Sequence, residues 1–331
     1  MLELIAALAI IICAAEIFTN ALEHLGSRLH ISEGVTGSLF AAVGTAMPES
    51  IIPLLALLAG TSDPRVNEEI GVGAILGAPL MLSTLTFGVM AASVLGRRGV
   101  TGHMTPEKSG LDRDLDFFLM AFALATAALF IPHHAASVRV SLAVALGLVY
   151  FIYVLLTVRA SAALVDSGHG TETDRPLFAG WLGLGGNLVS TSGQLAVGLA
   201  LLIIGAEIFI HSVKQVAELA GVSTLLLSLL IVPVATEMPE KVNSILWARR
   251  GRDTLAFGNI TGAMVFQGTL LPAVGILLTP WEPRREVFVG ILLAYAAALW
   301  LRLLRSRQLA VWHLFVNAAL YVLYLVLMLA A

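Results

Sequence analysis

The sequence predicts an all-α integral membrane protein with about ten transmembrane helices in two inverted five-helix repeats. Three observations carry that prediction. The 331-residue chain is 58% hydrophobic and only 12% charged, with a mean hydropathy of +0.91. Soluble domains are about a quarter charged, so this chain has too little charge to cover a water-facing surface. Its apolar residues fall into ten runs of roughly the length that crosses a bilayer, about 20 residues. And its second half repeats the first in register.

The ten runs lie at about 4–25, 34–59, 70–95, 115–132, 137–158, 192–217, 223–247, 254–279, 286–304 and 310–330. The first has no positive segment before it and no clear small-residue cleavage site, so it reads as a span and not as a removed leader. It contains Cys13, the single cysteine, which has no partner for an internal disulfide. The fourth and fifth runs are short, with a polar turn at His133 and His134 between them. The longest break, 159–190, holds Asp166, Gly168, Gly170, Asp174 and Pro176 and reads as a mobile linker. The organisation expected is therefore a first repeat over 1–158, a cytoplasmic linker over 159–190 and a second repeat over 191–331. Trp281 and Trp312 fall near span ends, where interfacial anchoring is expected.

Positive charge sets the orientation. Arg28, Arg97, Arg98, Lys108, Arg113, Arg159, Arg175, Arg249, Arg250, Arg252, Arg302, Arg305 and Arg307 fall on one set of alternate loops. Arg65, Arg139, Lys214, Arg284 and Arg285 fall on the other. The richer set is expected in the cytoplasm, which puts both termini outside. A multi-pass protein of a prokaryotic inner or plasma membrane is implied. The chain has no basic tract, which argues against a nucleic-acid partner.

Residues 5–50 lie on 196–241 without a gap. Glu16 meets Glu207, Ser32 meets Ser223, and Thr45, Met47, Pro48 and Glu49 meet Thr236, Met238, Pro239 and Glu240, each displaced by 191 (207 − 16). The displacement then drops to 185 (260 − 75), and Ile75, Gly77, Ala78, Thr84 and Leu85 lie on Ile260, Gly262, Ala263, Thr269 and Leu270. Five spans per half is an odd number, so the halves enter the membrane from opposite sides. Inverted repeats in transporters set the substrate site at their interface, near the midplane.

The repeated motif carries the chemistry. GTAMPES (44–50) and ATEMPEK (235–241) each lie inside an apolar span. Proline removes the helical bond to the carbonyl four residues back, so Pro48 frees the carbonyl of Gly44 and Pro239 frees that of Ala235. Free carbonyls in a bilayer are tolerated where they line a cavity. A carboxylate at that depth costs about 2.5–3.5 kcal/mol on insertion scales. Thr45 and Glu49, and likewise Thr236 and Glu240, share a helix face at a spacing of four. Two such broken helices bring together two carboxylates, two hydroxyls and several carbonyls, an all-oxygen site suited to a hard divalent cation, calcium above all. Glu16 and Glu207 lack this company and read equally as structural or pathway residues. Gly73/Gly77 and Gly258/Gly262 have the small-xxx-small spacing of close helix packing. Asn259 reads either as a polar crosslink or as part of the site lining. Glu237 and Lys241, four apart, are expected to pair; the alternative is that Glu237 is itself a ligand.

These motifs resemble those of the calcium/cation antiporter superfamily, and most closely those of the prokaryotic sodium/calcium exchangers. Each repeat in that family carries a Gly-Thr-Ser-x-Pro-Glu run and then a Gly-Asn-x-x-Gly-Ser-Asn run. The resemblance implies ten spans in two inverted repeats, with Glu49 and Glu240 as the main calcium ligands and Thr45 and Thr236 as supporting oxygens. This chain departs from the pattern at Ala46 and Glu237, at Gly73-Ala74, at Ala78-Pro79 and Ala263-Met264, and at Leu82 and Gln267. Several oxygens that hold sodium in the family are thus replaced, which marks a divergent member.

The function expected is secondary-active antiport of Ca2+ or a related divalent cation against Na+ or H+, by alternating access at a mid-membrane Glu/Glu site. The site residues are Glu49, Glu240, Thr45, Thr236, Gly44, Ala235, Glu237 and Asn259. The partners are inorganic cations and the lipid bilayer, with no resident cofactor. The alternative is a non-transporting binding or regulatory protein that keeps the fold. An enzyme is not expected, since the spans hold no His-Glu-x-x-His run and no Ser/His pairing at a common depth.

Overall fold

The computed structural model describes residues 2–46, 75–132, 134–173, 175–219, 237–283, 285–304 and 309–329. Among these the protein is helical, apart from one two-stranded sheet. Seven helices are long and apolar enough to cross a membrane.

Helix α1 (Leu2–Arg28) packs along α6 (Leu188–Leu219). Two glycines of α6 allow the close approach. A Cβ on Gly198 would lie 2.8 Å from the Phe18 backbone nitrogen, and one on Gly205 would lie 2.9 Å from Ile11. Position 18 meets 198 and position 11 meets 205, so the two helices run antiparallel. Gln194 ties them further, donating to the carbonyl of Ile17 and to Asn20 Oδ1.

Helix α2 (33–46) starts at Ser32, whose hydroxyl accepts from Val35 N. It widens into a π-helical turn over Thr36–Ala41. Helix α3 (Ile75–Arg98) contains a second π-helical turn, Leu82–Thr86. Such turns expose backbone groups locally and are common at functional sites. Helix α3 ends at Gly99, whose φ of 73° is the left-handed conformation that favours glycine at this position.

Helix α4 (Lys108–Ala128) is capped by Glu107, which accepts from Ser109 N and Gly110 N. Helix α5 spans Ala136–Leu164. Both exceed the short runs read from hydropathy. The first turns of α4 hold Asp112, Arg113, Asp114 and Asp116, charges that end an apolar count. Two of these aspartates pair with Arg302 and a third is buried among hydroxyls, so the helix continues through them.

Helices α7 (Met238–Arg249), α8 (Asp253–Leu278), α9 (Arg285–Leu303) and α10 (Val311–Leu329) complete the chain. Buried residues lie on every face of α8, from Leu255 to Ile276, as expected for a helix apolar all round. It contacts α2, α4, α5 and α7 and is the axis of the packing. Strands β1 (His103–Met104) and β2 (Leu309–Ala310) pair antiparallel and join loops from the two halves.

The described residues of the 159–190 linker make hydrogen bonds to α1 and the turn after it. Asn20 Nδ2 donates to the Pro176 carbonyl, Phe178 N donates to Asn20 Oδ1, and Thr171 N donates to the Ile31 carbonyl. Arg28 reaches the carbonyl of Gly186. Trp281 is not an interfacial anchor. It is buried, and its indole N–H donates to the Ala125 carbonyl at 3.0 Å. Trp312 is exposed.

Candidate cation site

Helix α7 begins at Met238, with Pro239 in its first turn. Proline is favoured there because its missing N–H would have no intrahelical partner anyway. Glu240 follows in that same turn and is wholly buried. The positive end of a helix dipole favours a carboxylate at this position.

Asn259 of α8 joins this turn. Its Nδ2 donates to the Glu240 carbonyl at 3.1 Å and to Ser244 Oγ at 2.9 Å. Asn259 is therefore the crosslink between α7 and α8. Its Oδ1 is buried and has no hydrogen-bond donor among the described residues, which leaves an oxygen lone pair beside the Glu240 turn.

Glu237 pairs with Lys241 as the spacing predicts: Lys241 Nζ donates to Glu237 Oε2 at 3.0 Å, and both side chains are buried. The carboxylate of Glu237 is thus matched by a charge on its own helix.

On α2, Thr45 is buried and donates to the Ala41 carbonyl at 2.9 Å, leaving its oxygen lone pairs available. Gly44 faces Phe18 of α1, 3.5 Å from where a Cβ would lie. Glu49, Thr236 and Ala235 lie outside the described residues. Of the residues expected at the site, Glu237, Glu240 and Asn259 lie together at the α7–α8 contact, and Gly44 and Thr45 lie on α2.

Glu16 is not a lone mid-span acid in this structure. Arg250 hydrogen-bonds to it, and Arg175 lies 3.5 Å away. Its repeat counterpart Glu207 is exposed on α6. Arg250 also approaches Glu23 at 3.6 Å, and Glu23 accepts from the Trp247 indole.

Motif reading missed Asp114. It lies on α4, buried, where Ser38 Oγ and Thr261 Oγ1 donate to its Oδ2 at 2.7 and 2.6 Å and Tyr153 OH donates to its Oδ1 at 2.9 Å. One signal for it exists in the sequence. Asp112 and Asp116 are four apart and share a face, whereas Asp114 is two residues from each, about 200° around the helix.

The arrangement is that of an integral, multi-pass, all-helical membrane protein with a buried acid on a proline-started helix. The chain belongs to the sodium/calcium exchanger protein family, whose sequence model matches residues 1–159 and 191–330. It is similar to CaxA of Alkalimonas amylolytica, named as a candidate antiporter, with 25% identity over 276 residues, 82% of this chain and 79% of that one. The inner membrane protein YrbG of Escherichia coli strain K12 is 23% identical over 279 residues, 84% of this chain and 80% of that one. The fold is similar to that of the solved sodium-calcium exchanger NCX_Mj, with a TM-score of 0.73 and 20% identity over 96% of this chain and 95% of that one.

Proposed function

We propose that this protein is a secondary-active antiporter that moves Ca2+ or a related divalent cation against Na+ or H+. Ten spans in two inverted repeats form the pathway. Both termini lie outside, and 159–190 lies in the cytoplasm. Glu49 and Glu240 share the transported cation, with Thr45, Thr236 and the Gly44 and Ala235 carbonyls as further oxygens and Asn259 at the edge.

The single observation that carries this reading is the Glu240 turn. A carboxyl group is buried inside a membrane protein, on a helix begun by proline, beside an asparagine oxygen that no described donor fills. Burial of an acid at such depth is costly, and a cation offsets that cost. Family membership supports cation exchange, and the antiparallel crossing of α1 and α6 supports the inverted relation of the halves. Glu237 is the lesser ligand on this reading, because Lys241 already balances it.

The coupling ion follows from what is missing. Ala46, Ala78, Leu82 and Ala263 bring no side-chain oxygen where the family pattern is polar. Two carboxylates sharing a desolvated site exchange a proton more readily than either would alone in water. Protons are therefore the proposed driving ion. The test is Ca2+ uptake into proteoliposomes under a pH gradient without sodium, against a sodium gradient at uniform pH. Uptake is expected in the first arm and lost in folded Glu240→Gln and Glu49→Gln. Uptake in the second arm alone would reject proton coupling, and wild-type flux in either variant would reject the site.

A further inference from the structure

Asp114 is buried within the helix packing, with three hydroxyls hydrogen-bonded to its oxygens and the guanidinium of its chain neighbour Arg113 near enough to act on it electrostatically. Helix α2 presents Ser38 to it, α8 presents Thr261, and α5 presents Tyr153, the one titratable group among the three. Arg302 of α9 turns to Asp112 and Asp116 on the other face of α4. Removing a carboxylate from water is costly, no ion pair holds its oxygens among the described residues, and the neutral acid avoids that cost.

The hydrogens at Asp114 have two consistent arrangements. Thr261 Oγ1 lies 2.6 Å from Asp114 Oδ2 and 3.0 Å from the Phe257 carbonyl, yet it has one hydrogen. With Asp114 ionised, Thr261 donates to the carboxylate. With Asp114 protonated, the acid donates to Thr261 Oγ1, which passes its own hydrogen to Phe257 O. Ser38 and Tyr153 keep donating in both. A proton is thus accepted or released by turning one hydroxyl, and no buried group is left unpaired in either state.

Asp114 also lines a small cavity. This narrow crevice, of about 10 Å³, is lined by Asp114, Ser38 and Thr261 and by Gly34, Pro106, Glu107 and Thr254. Pro106, Glu107 and Thr254 belong to the arginine-rich loops, where Thr105 N donates to Asp253 and Glu107 N to Thr254. The repeat does not supply a second copy of this site. Ser38 maps onto Leu229 at a displacement of 191, and Thr261 maps onto Leu76 at a displacement of 185.

We propose that Asp114 is a proton-binding site, loaded and unloaded through this crevice from the arginine-rich face. Its Oδ2 ties α2, which carries Thr45, to α8, which carries Asn259, so its proton is coupled to the crossing of these two helices. The reaction is a plain protonation: a proton from water in the crevice joins a carboxylate oxygen, and it leaves by the same route. This role in transport rests on the antiport reading above, whereas proton binding at Asp114 does not.

Infrared spectroscopy of the purified protein in lipid separates the two. A C=O band of a protonated carboxyl is expected that changes with pH and is absent from Asp114→Asn. In proteoliposomes, Asp114→Asn should lose pH-gradient-driven Ca2+ uptake, and any remaining flux should no longer respond to pH on the arginine-rich side. Thr261→Val is the second variant, used if Asp114→Asn does not fold. It deletes the turning hydroxyl and should shift both the band and the pH response. Identical bands in wild type and variant, or an unchanged pH response in either, would overturn the proposal. Absence of any Ca2+ flux in wild type would overturn the antiport reading, and the infrared band would still decide proton binding at Asp114.

Discussion

Lys241 is a buried cation in the first turns of α7, and Glu237 one turn before it holds it at 3.0 Å. Such a pair is weak evidence of stability, because its desolvation penalty is comparable to its attraction. Breaking it is another matter. Lys241→Met leaves a buried carboxylate beside Glu240 and should destabilise the protein by about 3–5 kcal/mol. Glu237→Gln combined with Lys241→Met removes both charges and should recover much of that loss. Thermal unfolding in detergent, followed by flux, measures both effects. A fully stable Lys241→Met would mean that the ammonium reaches water and the pair is incidental. The pairing itself was legible at a spacing of four, because both partners sit on one helix. The Asp114 cluster was not legible in the same way. Its four members come from four helices, residues 38, 114, 153 and 261, and no sequence spacing brings them together.

Helix α8 crosses α2 at backbone contact, and the glycines of α8 set that distance. A Cβ on Gly262 would lie 2.1 Å from the Ser38 carbonyl oxygen, and one on Gly258 would lie 3.0 Å from Ser38 Oγ. The obstacle at Gly262 is main chain, so no rotamer change relieves it. Gly262→Ala should cost about 1–3 kcal/mol through overpacking. It should also disturb the Asp114 cluster, since Ser38 and Thr261 flank the contact. A melting temperature equal to wild type would show that the two helices separate freely. Close packing at Gly258 and Gly262 was readable from the small-residue spacing. The partner helix was not, and neither was the true start of α4. Hydropathy counts solvent transfer, and it stops at Asp112, Arg113 and Asp114 because it has no means of seeing Arg302, Ser38 or Tyr153 across the packing. Trp281 fails for the same reason: a tryptophan near a span end looks interfacial until the Ala125 carbonyl and Gly275 close over it.

At the scale of the whole molecule, the charged loops sort onto two faces. On one, Arg98 grips Asp253 with its two terminal guanidinium nitrogens, Arg97 donates to the Arg249 carbonyl, and Arg252 reaches Glu33 and Glu172. These contacts tie the loops after α1, α3, α5 and α7 together, the set that charge counting assigns to the cytoplasm. On the other face, Arg139 donates to the Ile276, Thr279 and Pro280 carbonyls, so the start of α5 meets the end of α8. These contacts share no sequence neighbourhood, yet each joins loops that the sequence reading places on one side. What the contacts do not carry is which face is the cytoplasm; that rests on the excess of arginine and lysine. Lys108 and Arg285 are exposed, one on each face. With exposed Cys13 replaced by serine, a cysteine at Lys108 should react with a membrane-impermeant thiol reagent only in inverted vesicles, and a cysteine at Arg285 only in intact cells. Labelling with the opposite sidedness would turn the molecule over. The crevice to Asp114 would then open outside, and the proton that it delivers would belong to the other half of the transport cycle.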